Sequence, residues 1–324
     1  MRSALSTARD AAVSNGALAT CRLPRLIYAR SSIAGDNHPR HNEDRLLIAR
    51  EAGLAAVFDG VGGSAAGEVA AHLAAQAVRL GWQRIRERQP AAPEAAPEAA
   101  RVPSTAALDL PATLSTLLLR AHQQIRAAEP HLTSHAERPP AGARGGATTA
   151  AVIALTAAAD DTRYRLGYAW VGDSRIYLLA AGQPLRRLTS DDGVLTGLVH
   201  EGMLSEPDAL RIDQACAAEQ LSDLEHSYFK LRNGITQALG ERKTPSVHAG
   251  QRTCGPGDRI LLCSDGIHDN LTDRELERVL RLASPASAAR ELVGYALRRS
   301  REERGISLRA KSDDMSAITI VCGQ

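Results

Sequence analysis

Short apolar runs separated by turn residues dominate the chain, and only a few stretches carry a helical period. LIYARSSI at 26–33, LLIAR at 46–50 and LAAVF at 54–58 are brief, aliphatic and bounded by polar or glycine positions, which reads as strand. Only Glu51 to Gly53 separates the second from the third, so the two predict a hairpin. Beyond Gly67 the pattern becomes alanine-rich helix, EVAAHLAAQAVRLGW, with Ser64 a candidate cap and Glu68 favourable in the first turn. Leu114, Leu117, Leu118, Ala121 and Ile125 carry a helical period from Leu114 to Ala128, which Pro130 is expected to end. From Ala147 the chain turns to β: TTAAVIALT, RYRLGYAWVG and SRIYLLAAG. Alternation of Tyr164, Leu166, Tyr168 and Trp170 predicts a strand with two dissimilar faces. Ser190 to Arg232 alternates between helical and irregular, as a surface excursion would, and Ile235 to Gly240 returns to the core. Further strands are expected at 260–263 and 316–322, a helix from Thr272, where Thr272 and Glu275 form a capping box, and an amphipathic helix over 284–304. Strands outnumber helices in a mixed order, which argues for an α+β fold with antiparallel sheets.

Composition narrows this only a little. The chain has 324 residues, 44% of them hydrophobic, enough for one large domain or two small ones. Residues 1–22 read as a poorly ordered leader ahead of a domain at 23–324. That domain carries insertions at about 89–113 and 130–146 and the excursion at about 190–232. The first insertion, rich in Pro, Ala and Glu, cannot build a packed core. A formal charge of +2 offers no argument for nucleic acid or a membrane surface, and no apolar run approaches the roughly 20 residues that span a bilayer. Five cysteines without paired spacing fit a reducing compartment, and the N-terminus lacks the apolar segment of a secretory signal. A monomer in the cytoplasm is the expectation.

The chemistry concentrates where strands end. Asp59 leaves the strand at 54–58 and is followed by Gly60, Gly62 and Gly63; alone, that motif also fits an ordinary tight turn with a solvated aspartate. A second acidic turn of the same kind, Ser264-Asp265-Gly266 with Asp269, follows the strand at 260–263, and Asp313-Asp314 precedes the last strand. A carboxylate is costly to bury without a partner, most simply a cation. Asp59, Asp265, Asp314 and the Gly60 carbonyl form a hard, all-oxygen set suited to Mg2+ or Mn2+ and not to Zn2+. Two such ions roughly 3.5–4 Å apart would activate a water and clamp a phosphoryl group for in-line attack.

Six motifs carry a family resemblance: NED at 42–44, DGVGG at 59–63, GATT at 146–149, GDSR at 172–175, SDGIHD at 264–269 and KSDDMSAI at 311–318. In this order they resemble the PP2C family of metal-dependent Ser/Thr protein phosphatases, particularly its stand-alone bacterial members. The resemblance implies a sandwich of two antiparallel sheets flanked by helices, with a Mg2+/Mn2+ pair at one end. It further implies Asp59 as bridging ligand, Gly60 giving its carbonyl to one ion, Asp265 and Asp314 binding the other, and Glu43 and Asp44 orienting water. Asp173 and Asp269 match the positions of a third ion. Pro39 stands where many relatives carry a phosphate-binding arginine, so Arg40 becomes the substitute candidate. Val61 replaces the histidine of some relatives, which leaves leaving-group protonation to water; His268 reads as a packing residue. The implied substrate is a phosphorylated protein in a Ser/Thr kinase pathway. The alternatives are a catalytically weak phosphoprotein-binding regulator and a hydrolase of small phosphate esters.

Overall fold

The computed structural model describes residues 25–61, 66–88, 108–133, 146–158, 162–303 and 307–323. The expected leader, Gly62 to Ser64 and most of both insertions lie outside the described residues. The strands among them are β1 (Leu26–Ile33), β2 (Arg45–Ala49), β3 (Leu54–Phe58), β4 (Ala150–Ala157), β5 (Tyr164–Val171), β6 (Arg175–Leu179), β7 (Leu185–Arg187), β8 (His248–Cys254), β9 (Arg259–Cys263) and β10 (Met315–Cys322). The helices are α1 (Gly67–Glu87), α2 (Leu110–Thr133), α3 (Val194–His200), α4 (Glu206–Asp213), α5 (Asp223–Leu231), α6 (Asp265–His268), α7 (Asp273–Leu282) and α8 (Ala288–Ser300). One sheet runs β1-β10-β9-β6-β7 and the other β2-β3-β4-β5-β8, with every pairing antiparallel.

Apolar burial stacks these elements into four layers. Tyr28, Val57, Ile153, Leu166, Ile260, Leu262 and Ile320 fill the space between the sheets. Leu54, Ala56 and Phe58 point the other way, onto Val78 and Trp82 of α1 and Leu114 and Leu118 of α2. On the opposite side Leu276, Leu280, Leu292 and Val293 of α7 and α8 cover Leu261, Cys263 and Ala317. All five residues of β3 are buried because both faces of its sheet are covered, which is why its sequence is continuously apolar. In β5 the dissimilarity is one of bulk: Tyr164, Leu166, Tyr168 and Trp170 face the second sheet, while Gly167 and Ala169 lie under the helices. A Cβ at Gly167 would sit 2.3 Å from Leu110 Cβ, so α2 crosses where that strand has no side chain.

Several boundaries differ from the sequence expectation. Helix α2 begins at Leu110, four residues inside the expected insertion, because Asp109 Oδ1 accepts the Ala112 amide at 3.0 Å and caps it. Pro111 in that first turn costs no intrahelical bond, and the helix continues past Pro130 to Thr133 although a proline there gives up one i to i−4 bond. The last helix spans Ala288–Ser300, shorter than expected, because Ser284 and Ser287 bond into a turn ahead of it. Strand β8 escaped the pattern altogether: as an edge strand it alternates polar and partly exposed residues over HAGQRTC. The surface excursion resolves into α3, α4 and α5 around their own small cluster of Leu195, Ile212, Leu221 and Phe229. Cys216, Cys254, Cys263 and Cys322 are free thiols, and among the described residues no helix is long and apolar enough to cross a membrane.

Strand registers bring the motifs to one rim. Arg45 at the start of β2 pairs with Phe58 at the end of β3, and Ala150 with Val171. Cys263 at the end of β9 lies opposite both Arg175 and Ala317. Glu43, Asp44, Asp59, Asp173, Asp265 and Asp313 therefore all leave or enter strands at the same end of the sandwich.

Candidate metal centre

Asp59 is held at the rim by its backbone. Its amide donates to Thr149 Oγ1 at 3.2 Å, and its carbonyl accepts from the Thr149 amide and from Thr148 Oγ1, both at 2.8 Å. Thr149 Oγ1 in turn lies 2.7 Å from Ser174 Oγ, so GATT and GDSR act together as a clamp behind the strand exit. Gly60 bridges to Thr148, and a Cβ on it would come within 2.6 Å of Gly67 and 2.8 Å of Glu43 Cβ. Only glycine allows β3, α1 and the NED turn to close this tightly.

Asp44 joins the two sheets. Ser264 Oγ donates to its Oδ2 at 2.8 Å, and the Ser316 amide donates to Ser264 Oγ at 3.0 Å. The other carboxylate oxygen, Oδ1, is buried without a hydrogen-bond partner. Burial, only partly offset by bonds from Ser316 and Ser264, pushes the Asp44 carboxyl up to about 8. Asp59 is pushed well above its ordinary value by burial and by Asp44, Asp265, Asp313 and Asp173, and nothing among the described residues donates to its carboxylate. Asp173 rises for the same reasons, burial first and then Asp265 and Asp191. Asp265 reaches about 7 through burial, with Lys311 opposing and Asp313 and Asp269 adding to the rise. These acids repel one another, and the Lys311 ammonium offsets only part of the rise at Asp173 and Asp265, which leaves negative charge for a divalent cation to neutralise.

The donor set fits hard ions. It is entirely carboxylate oxygen with one orphaned buried acceptor, and the nearby histidine is otherwise engaged: His268 donates from Nε2 to the Asp173 carbonyl at 3.1 Å. Burial, and next the Arg175 charge, hold His268 down to about 3, so it stays neutral. Among the described residues no three acidic, histidine or cysteine side chains yet converge closely enough to cage an ion. Instead the ammonium of Lys311 stands in the cluster, 2.5 Å from Asp265 Oδ2 and 2.8 Å from Asp269 Oδ2.

The candidates named from sequence separate into two groups. Asp44, Asp59, Asp173 and Asp265 share the rim and each other's fields, with Gly60 next to Asp59, whereas Glu43 is raised by burial and then by Asp314. Asp314 spends its oxygens on the main chain, Oδ1 accepting the Gly35 amide at 2.8 Å and Oδ2 the Glu43 amide at 2.7 Å, and its charge reaches Asp44 and Glu43. Asp313, next to it, is the residue whose charge reaches Asp59 and Asp265. Asp269 is bracketed, with Lys311 on Oδ2 and Arg232 3.5 Å from Oδ1, and these cations hold it low against the cost of burial. Arg40 is exposed in the turn after Pro39. The reading from sequence named the Asp313-Asp314 pair but chose Asp314 over Asp313, and it missed Lys311 and the clamp of Thr148, Thr149 and Ser174. The GATT and GDSR motifs were visible, but their partners are distant in sequence.

A protein phosphatase 2C family model matches residues 35–298, most of the chain. The chain belongs to the protein phosphatase 2C family. It is 30% identical over 259 residues to the serine/threonine protein phosphatase PstP of Mycobacterium tuberculosis, a match covering 80% of this chain and 40% of PstP. The chain thus spans about two fifths of the length of that curated relative. Against a crystal structure of PstP the fold superposes with a TM-score of 0.62 at 26% identity, covering 92% of this chain and 99% of that one. The catalytic domain of PstP solved in complex with two manganese ions matches at 25% identity with a TM-score of 0.60, over 92% and 99% of the two chains. The fold is therefore the two-sheet, helix-flanked sandwich of PP2C phosphatases.

Proposed function

We propose that the chain is a metal-dependent protein-serine/threonine phosphatase that hydrolyses phosphoserine and phosphothreonine esters. The observation that carries this reading is the cluster of mutually repelling carboxylates at the rim, with the buried Asp44 Oδ1 left without a partner, in a PP2C fold. Mg2+ or Mn2+ held there would supply Lewis acidity and an activated water. Asp59, the Gly60 carbonyl, Asp265 and Asp313 are the residues placed to hold two ions, with Asp313 in the role that the sequence reading gave to Asp314. Glu43 and Asp44 are placed to accept hydrogen bonds from water and so aim it. Arg40, exposed in the turn after Pro39, is the candidate to meet a phosphate oxygen.

The same reading makes the partners a phosphorylated protein and the Ser/Thr kinase that modifies it, and the compartment the cytoplasm. That reading also takes a monomer as the working unit. The test is release of phosphate from a phosphothreonine peptide by Mn2+-loaded protein, compared with EDTA-treated protein and with Asp59→Ala. Turnover that EDTA and Asp59→Ala both abolish is expected; Mn2+-loaded protein that leaves the peptide intact overturns the reading.

A further inference from the structure

Lys311 is an unusual resident of an acidic rim. Its Nζ lies 2.5 Å from Asp265 Oδ2, 2.8 Å from Asp269 Oδ2 and 3.1 Å from Asp313 Oδ2, and its side chain is only 22% exposed. Its backbone is fixed at both ends of the peptide group: Asn270 Nδ2 donates to the Lys311 carbonyl at 2.9 Å and Asn270 Oδ1 accepts the Lys311 amide at 3.1 Å. Asn270 is itself fully buried and tied to the Gly266 carbonyl, so the ammonium is positioned by the floor of α6. The chain has 39 basic residues, of which only Lys230, Lys243 and Lys311 are lysine. A compact ammonium with three donors can meet three carboxylates from three directions, as a small hard cation does and a planar guanidinium cannot.

The neighbours complete the case. Arg232 occupies the other side of Asp269, 3.5 Å from Oδ1, so both oxygens of that carboxylate already face positive charge. An ion beside Asp173 and Asp265 would have to displace the ammonium to reach Asp269. Resting on the metal-dependent reading above, we propose that Lys311 is a built-in third cation: it fills the position of an additional ion between Asp265 and Asp269 and restricts the protein to two metals.

Mn2+ titrated calorimetrically into the metal-free full chain, with bound metal counted after desalting, tests this. Wild type is expected to hold two ions and Lys311→Gln three, with the metal-free variant melting below wild type. Amine acylation read by mass spectrometry gives an independent answer on wild type should the variant not fold. Lys311 is expected to react far more slowly than the exposed Lys230 and Lys243, in EDTA and in Mn2+ alike. Two ions in both proteins, or labelling of Lys311 as fast as the other two lysines, overturns the assignment while leaving the phosphatase reading intact. No Mn2+ bound by either protein overturns both.

Discussion

At the scale of single residues, adjacent aspartates do opposite work. Asp314 spends both oxygens on main-chain amides of Gly35 and Glu43, and so fixes the turn that presents the NED motif. Asp313 projects its charge onto Asp59 and Asp265. Two neighbouring substitutions should therefore part company. Asp313→Asn should lose Mn2+ affinity with little change in the melting temperature of the metal-free protein. Asp314→Ala should leave the buried Gly35 amide and the half-buried Glu43 amide unpaired and cost about 1–3 kcal/mol of stability. Isothermal titration and denaturant melts on the two variants decide the matter, and equal loss of metal binding with equal stability would refute the division. From sequence alone, DD before a strand shows that carboxylates are present but not which one faces inward. That choice depends on a one-residue register fixed by the pairing of Ser316 with Ser32 and of Ala317 with Cys263.

At the scale of elements, the short helix α6 is the hinge between the sheet and the site. Gly266 lies so close to the strand leading into β10 that a Cβ would fall 2.0 Å from the Asp314 carbonyl oxygen. Its backbone has no positive φ, so the demand is for space and not for a special conformation. Gly266→Ala should push β10 away from α6, with a cost of about 1–3 kcal/mol from overpacking and a loss of Mn2+ affinity that exceeds what the lost stability explains. A variant that melts and binds metal like wild type would show that the approach is looser than drawn. Elements with a strong local signature were legible beforehand: the β2-β3 hairpin, the continuously buried β3, and the α7 capping box, in which Glu275 Oε2 accepts the Thr272 amide at 2.8 Å. Those without one were not. Strand β8 gains its identity only by pairing with β5, and α2 starts where Asp109 caps it and Leu110 seats over Gly167, inside a stretch whose composition reads as linker.

For the whole molecule, the rim is a seam where like charges from two sheets face each other. Asp44 and Asp265 have folded-state values near 8 and 7 against an ordinary 3.8. Groups raised on folding favour the folded state while protonated. Their contribution is whole at low pH and is lost as pH climbs from the unfolded value through the folded ones. Metal-free protein in EDTA should accordingly melt at progressively lower temperature between about pH 5 and about pH 8, and saturating Mn2+ should abolish that decline by binding the ionised form. A melting temperature in EDTA that is flat or rises over that range would contradict the electrostatics drawn here. The pattern of strands and helices showed an α+β fold with antiparallel sheets, while the helix-flanked sandwich and its acidic end were legible only through the family motifs. The compensating charges of Lys311 and Arg232 were not readable, because they come from 42 and 37 residues away from Asp269 and no local pattern points to them.

Arg175 has a consequence of another kind. Buried in β6, it grips Asp191 at 2.6 Å and Asp213 at 3.0 Å, and these two carboxylates stand at either end of the stretch that contains α3 and α4. Chain entering and leaving that stretch is thereby riveted to the sheet at two fixed points. The stretch between them can therefore vary in sequence, as long as it keeps its packing on Leu221 and Phe229, without moving the acidic rim.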